Sequence, residues 1–313
     1  MSKNLEISKQ KINFVKSFGG LAQLARAFAW HAKGHRFDSD ILHLFVKFYI
    51  FIGYFFMKYL KIIIAFFIVL GLDSAVFAKP KIAKKILFVF TNHTQLGDTG
   101  AKTGYHLSEA SHVWVPLKNE GYQIDFMSPL GGEIFTDGWE KLEDPMNISF
   151  LNDPHVQEQI KNTLTPEKVK IKDYVAIYYV GGHGVMWDFV NNSVLAQLTA
   201  QIYENNGIVA AVCHGPAGLI DVKLSDGQYL VSGKRISAFT NEEEIAVDLQ
   251  NVVPFSLEDQ LKDKGAILDK GNNFEAQVSV DQRIITGQNP ASASSLAFQL
   301  VEQLQFVGKK KKS

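Results

Sequence analysis

The sequence predicts an α/β fold in which a mostly parallel sheet is covered by helices on both faces and carries a nucleophile elbow. Two observations predict it. Between residues 85 and 307, short apolar runs alternate with longer segments of helical spacing, an order that favours parallel βαβ units. The only cysteine among 313 residues, Cys213, follows one such run, Ile208 to Val212, and precedes the helix-compatible Ala217-Gly218-Leu219-Ile220. A strand-to-helix turn of this kind lifts its side chain above the carboxyl edge of a sheet, where α/β proteins form their sites.

The elements follow in order. Lys85-Ile86-Leu87-Phe88-Val89-Phe90 is apolar on both faces, as a central parallel strand requires. Thr103 to Glu120 has helical spacing, with Ala110, Val113, Trp114 and Leu117 on one face and Gly121 as a stop. Tyr122 to Met127 alternates as a strand, and Tyr174 to Val180 is a second buried strand ending in Gly181-Gly182-His183-Gly184. Asn192 to Asn205 reads as a helix and Ile208 to Val212 as the strand that feeds Cys213. A short strand pair, a helix from about Asn241, a short helix near Ser256 and a last helix from about Pro290 to Leu304 complete the series. Asn92, Gly182, His183 and Cys213 all fall at the carboxyl edge of the sheet.

Four segments differ in composition. Residues 84–307 are expected to form one large α/β domain, the one that carries Cys213, and residues 308–313, Gly-Lys-Lys-Lys-Lys-Ser, read as a solvated basic tail. Residues 57–78 have the order of a signal peptide. Met57-Lys58-Tyr59-Leu60-Lys61 is a basic start, Ile62 to Leu72 is apolar, and Ala78 closes a small-residue cleavage site. Joined to Ile41 to Phe56, the same run is long enough for a membrane anchor. Leu21 to Asp38 resembles a mistranslated transfer-RNA gene region, which makes residues 1–56 an expected over-extension of the reading frame and Met57 the expected start; a peptide from residues 1–56 in the native protein would refute that reading.

Charge excludes one class of function. The first 78 residues hold 10 of the 32 Lys and Arg and 4 of the 32 Asp and Glu, leaving 22 against 28 and a net charge of −6. An acidic domain is a poor match for phosphates, so no nucleic acid is expected as a partner. One cysteine also excludes an intramolecular disulfide.

Candidate site residues come from chemistry and position. Cys213 at a helix N-terminus is expected to have a lowered pKa and to oxidise readily, with His214 beside it as base or cation. A buried structural thiol is the bland alternative. Glu109 lies on or near the face its helix buries; desolvation there would raise its pKa and equip it as an acid/base, whereas a water-facing glutamate would do nothing. Gly182 and His183, with the N–H of His214, could form an oxyanion hole, or simply a glycine-rich turn. Thr240-Asn241-Glu242-Glu243-Glu244 reads as an N-cap followed by acids; capping accounts for Glu242 and Glu243, and helical phase lets at most one of the three face a core histidine. His106 and Glu109, at i and i+3, could share a metal with another histidine, but no zinc signature accompanies them and no metal is expected.

These motifs together resemble a known superfamily. Ala101-Lys102-Thr103-Gly104 with Ser108-Glu109, Gly181 to Asp188, Ala210 to Ala217, Ala238 to Glu244 and Thr286-Gly287-Gln288-Asn289-Pro290-Ala291-Ser292 are similar to the PfpI-type, class I glutamine-amidotransferase-like superfamily, in its glyoxalase III, heat-shock chaperone-like branch. The resemblance spans about residues 84–305. It implies a flavodoxin-like three-layer sandwich and a cofactor-independent conversion of methylglyoxal or glyoxal to lactate or glycolate. It implies Cys213 as nucleophile, His214 as its histidine, Glu244 as the third member and Glu109 as the buried acid facing the thiol. The expected partners are small reactive aldehydes, misfolded or glycated proteins and a second copy of the chain in a homodimer. A holdase chaperone, or a cysteine peptidase or amidase using the same site, is the alternative. The branch is commonly cytoplasmic, whereas the leader here implies export.

Overall fold

In a computed structural model of the chain, residues 85–137 and 142–310 are described. The expectations for residues 1–56 and for the signal peptide or anchor at 57–78 lie outside the described residues. Among the described residues, no helix is long and apolar enough to cross a membrane.

Six strands form one sheet in the order β2-β1-β3-β4-β8-β7, where β1 is Lys85–Val89, β2 Gln123–Met127, β3 Tyr174–Tyr179, β4 Ile208–Val212, β7 Val278–Asp281 and β8 Ile284–Gly287. All neighbours are parallel except β7 and β8. Every residue of β4, and all of β1 after Lys85, is buried, which is why these strands lack polar alternation. The helix α1 (Leu107–Asn119) joins β1 to β2, and α5 (Ser193–Glu204) joins β3 to β4 in the opposite direction along the sheet. Right-handed crossovers then put the two helices on opposite faces, giving the flavodoxin-like three-layer sandwich. The last helix, α8 (Ala293–Lys310), packs on α1 and on β4 and β8.

The structure differs from the expected elements in four places. The helix expected from Thr103 begins at Leu107, because Tyr105 N–H bonds Phe135 O at 2.9 Å and His106 N–H bonds Gly181 O at 3.0 Å, which holds residues 103–106 extended. Two helices were not anticipated, α2 (Pro145–Leu151) and α3 (Pro154–Lys161). The strand pair expected before Asn241 is split, since β5 (Arg235–Ile236) pairs with β6 (Ile267–Leu268), on the far side of two further helices. Those helices are α6 (Asn241–Ala246) and α7 (Leu257–Asp263), and α4 is the short Val185–Asp188 turn after β3. Finally, α8 continues through Lys310, so the expected tail at 308–313 starts as helix.

Candidate active site

Cys213 sits at the end of β4 with φ of 59°, a left-handed conformation that costs a side-chain-bearing residue about 1–2 kcal/mol. Backbone bonds fix it on both sides: its N–H donates to Gly287 O and its carbonyl accepts from Phe239 N–H, both at 2.9 Å. Two glycines let the neighbours close in. A Cβ on Gly181 would lie 2.4 Å from Glu109 Oε2 and 2.9 Å from Cys213 Cβ, and one on Gly215 would lie 2.5 Å from Tyr179 O.

Two strand ends and the start of α6 converge here. After β3, Gly181 N–H donates to Glu109 Oε2 at 2.9 Å. After β4, Cys213 Sγ stands 3.3 Å from His214 Nδ1. From the start of α6, Glu244 reaches both histidines: Oε2 is 2.8 Å from His214 Nε2, and Oε1 is 2.9 Å from His183 Nε2. The imidazole of His214 is fully buried and packed between rings, with centroids 4.1 Å to His183 and 4.4 Å to Phe239.

Burial sets the electrostatics. Glu109 is fully buried; desolvation and then the charge of Asp137 raise its carboxyl well above the usual range, only partly offset by hydrogen bonds from Cys213 and Gly181. Desolvation, then the charge and hydrogen bond of Glu109, push the Cys213 thiol up as well, while the His214 backbone N–H pulls it back. Desolvation and then His183 lower the His214 imidazole against the pull of Glu244. Glu244 behaves oppositely: burial disfavours its charge, but His214 and the two imidazole hydrogen bonds outweigh it and hold the carboxyl at about 2.

These states assign the tautomers. An ionised Glu244 can only accept, so both histidines carry their proton on Nε2. The free lone pair of His214 is therefore on Nδ1, facing the thiol, where it can take the proton of Cys213.

The structure corrects the expectation of an accessible, low-pKa thiol. The helix after the elbow is only a 3₁₀ turn, Gly215–Leu219, with little dipole to offer, and Cys213 is 3% exposed beside a carboxyl group. His183, expected at a glycine-rich turn, is bonded to Glu244. Gly182 stands at φ 105°, and a Cβ on it would meet Gly104 O at 2.4 Å. His106 and Glu109 do not belong to a metal-compatible cluster among the described residues.

The three consecutive acids divide their tasks as helical phase requires. Glu242 is an exposed partner of Lys270 at 2.6 Å. Glu243 forms a capping box with Thr240 and also accepts from Phe274 N–H and Asn289 Nδ2, each at 2.8 Å. Glu244 alone turns toward the histidines. Sequence reading missed these further links of Glu243, which tie α6 to two distant loops. Asn92, foreseen at the sheet edge, braces the turn at Leu130 and Gly131 instead of facing the thiol. Beside it Asp188, also missed, accepts from Thr91 Oγ1 and Asn92 N–H at 2.8 Å.

A buried thiol on an elbow, faced by a histidine and a carboxyl group on a flavodoxin-like sheet, defines a class of α/β sandwich proteins built around one cysteine. The chain belongs to the DJ-1/PfpI family, whose model matches residues 101–303. The glutathione-independent glyoxalase HSP31 of Saccharomyces cerevisiae is 32% identical over 241 residues, covering 71% of this chain and 98% of the yeast protein. The glutathione-independent glyoxalase hsp3101 of Schizosaccharomyces pombe is 30% identical, covering 67% and 91%. Among solved structures, Rapid Encystment Protein 24 KDa of Francisella tularensis is 40% identical with a TM-score of 0.68, covering 71% of this chain and 99% of that one. Glyoxalase III of Candida albicans is 25% identical with a TM-score of 0.65, covering 70% and 97%.

Proposed function

We propose that the chain is a glutathione-independent glyoxalase of the glyoxalase III type, converting methylglyoxal to lactate and glyoxal to glycolate without a cofactor. The observation that carries this reading is the buried carboxyl of Glu109 against Cys213, in addition to the His214 base. A peptidase or amidase needs a thiol and a histidine, but it has no use for a protonated acid held against its nucleophile. An aldehyde isomerisation does, because a proton must leave one carbon and arrive on the next.

His214 Nδ1 takes the thiol proton as Sγ bonds to the aldehyde carbon, giving a hemithioacetal. Backbone N–H groups near Gly182 and His214 support the developing oxyanion. Removal of the proton on the former aldehyde carbon gives an enediol, and reprotonation of the adjacent carbon leaves a thioester on Cys213; Glu109 and His214 serve as the two proton carriers. Water then cleaves the thioester, releasing the 2-hydroxy acid and restoring the thiol. Glu244 keeps the His214 tautomer fixed throughout, and His183 shares that carboxylate.

The test is lactate formation from methylglyoxal by purified protein in buffer free of thiols. Wild type is expected to produce lactate and Cys213→Ala none. Full turnover by Cys213→Ala would overturn the mechanism, and peptide cleavage without aldehyde turnover would favour the hydrolase.

A further inference from the structure

The charge relay contains one histidine more than a Cys-His-Glu triad uses. Glu244 receives an Nε2 hydrogen bond on each of its two oxygens, from His214 and from His183. Ligand atoms of these three side chains lie within 4.8 Å of one another, the only such group among the described residues. Two imidazoles and one carboxylate form a donor set suited to Zn2+, and unsuited to Mg2+ or Ca2+, which take oxygen. Zinc–ligand bonds of about 2.0–2.2 Å place donors on a tetrahedral ion roughly 3.4 Å apart. Small rotations would therefore close the cluster onto one ion. His183 is the member that can supply them: it is the most exposed of the three and follows Gly182.

We propose that His183, His214 and Glu244 form an inhibitory Zn2+ site that silences the thiol without binding it. The metal sits on the Nε2 edge of His214, whereas Cys213 Sγ faces the Nδ1 edge at 3.3 Å, so the sulfur is not a ligand. Each neutral imidazole has a single N–H. When Nε2 binds the ion, that proton moves to Nδ1, and His214 then presents an N–H to the thiol instead of a lone pair. It can no longer accept the proton of Cys213, and nucleophilic attack stops. The inhibition rests on the glyoxalase reading; the metal site itself does not.

The experiment titrates the full chain with Co2+, then Zn2+, in chelator-free buffer, and reads absorbance alongside methylglyoxal turnover. Wild type and Cys213→Ala are both expected to bind one Co2+ with the visible d–d bands of a four-coordinate ion and without the intense near-ultraviolet band of a thiolate ligand. Zn2+ is expected to displace Co2+ and stop wild-type turnover, with a chelator restoring it. His183→Ala should weaken Co2+ binding by at least the ~10–100-fold that even an outer-sphere partner contributes. His183→Gln, closer in size, replaces it if the alanine variant does not fold. A thiolate band, loss of binding in Cys213→Ala, wild-type affinity without His183, or no binding at millimolar metal would each overturn the site. A metal-free protein that binds Co2+ in this way but leaves methylglyoxal untouched would instead overturn the glyoxalase reading and keep the site.

Discussion

At the scale of single residues, the chemistry depends on where one proton rests. Glu109 and Cys213 are buried against each other; desolvation raises both, and the Glu109 charge raises the thiol further, so the resting pair is acid plus thiol. Glu109→Gln separates the two effects. The amide keeps the shape and the Gly181 hydrogen-bond geometry, but it cannot carry a proton. Turnover of methylglyoxal is expected to fall by about 10²–10⁴-fold. Removing the carboxylate also removes its repulsion of a thiolate, so the pH profile of Cys213 alkylation should move to lower pH. Stopped turnover with an unmoved alkylation profile would show that Glu109 does not act on the sulfur. The sequence located Glu109 only to within a helix face, because phase gives direction but not what lies opposite; the partner, Gly181, is 72 residues away. Cys213 was legible for a more local reason, the abrupt end of an apolar run at Cys-His-Gly-Pro.

At the scale of elements, the parallel strands were readable because burial on both faces leaves contiguous apolar runs, as in Ile86 to Phe90 and Ile208 to Val212. The helices α2 and α3 were missed because each is short and buries a single apolar anchor, Phe150 or Val156, so no periodicity accumulates. A local signal did exist: Asp144-Pro145 and Asp153-Pro154 each place a capping aspartate before proline, and each side chain accepts two backbone N–H groups. The two-residue strands β5 and β6 had no such signal, since their pairing is wholly non-local. The junction after β3 offers an element-level test. Gly181→Ala puts a methyl group 2.4 Å from Glu109 Oε2 and 2.5 Å from Val212 O, so either α1 or β4 must give way. Overpacking of this kind costs about 1–3 kcal/mol. The variant is expected to melt lower than wild type and to lose turnover at temperatures where it remains folded. A folded variant with wild-type kcat would mean that the α1–β3–β4 junction does not set the Glu109 position.

At the scale of the whole molecule, the same buried groups link the site to stability through pH. His214 is held below its ordinary value of 6.5 and Glu244 at about 2, so the unfolded chain binds more protons than the folded one in acid. Their contributions are complete above the unfolded values. That of His214 declines as pH falls below about 6.5, and that of Glu244 as pH falls from about 4.5 toward 2. Glu109 has the opposite sign. Its folded carboxyl stays protonated well above the ordinary value of 4.5, so above that pH the unfolded chain releases a proton that the folded chain retains. Its contribution is full below 4.5 and declines as pH rises toward the folded pKa, by at most about 1.4 kcal/mol per pH unit. Glu109→Gln has no such proton, so the other groups cancel when the variant is compared with wild type. Calorimetric melting of both proteins between about pH 5 and 8, below the thiol range, should show the variant gaining on wild type with each step upward. A melting-temperature difference that stays constant across that range would mean that Glu109 ionises as freely in the fold as in water, and the acid assigned to the isomerisation would be absent.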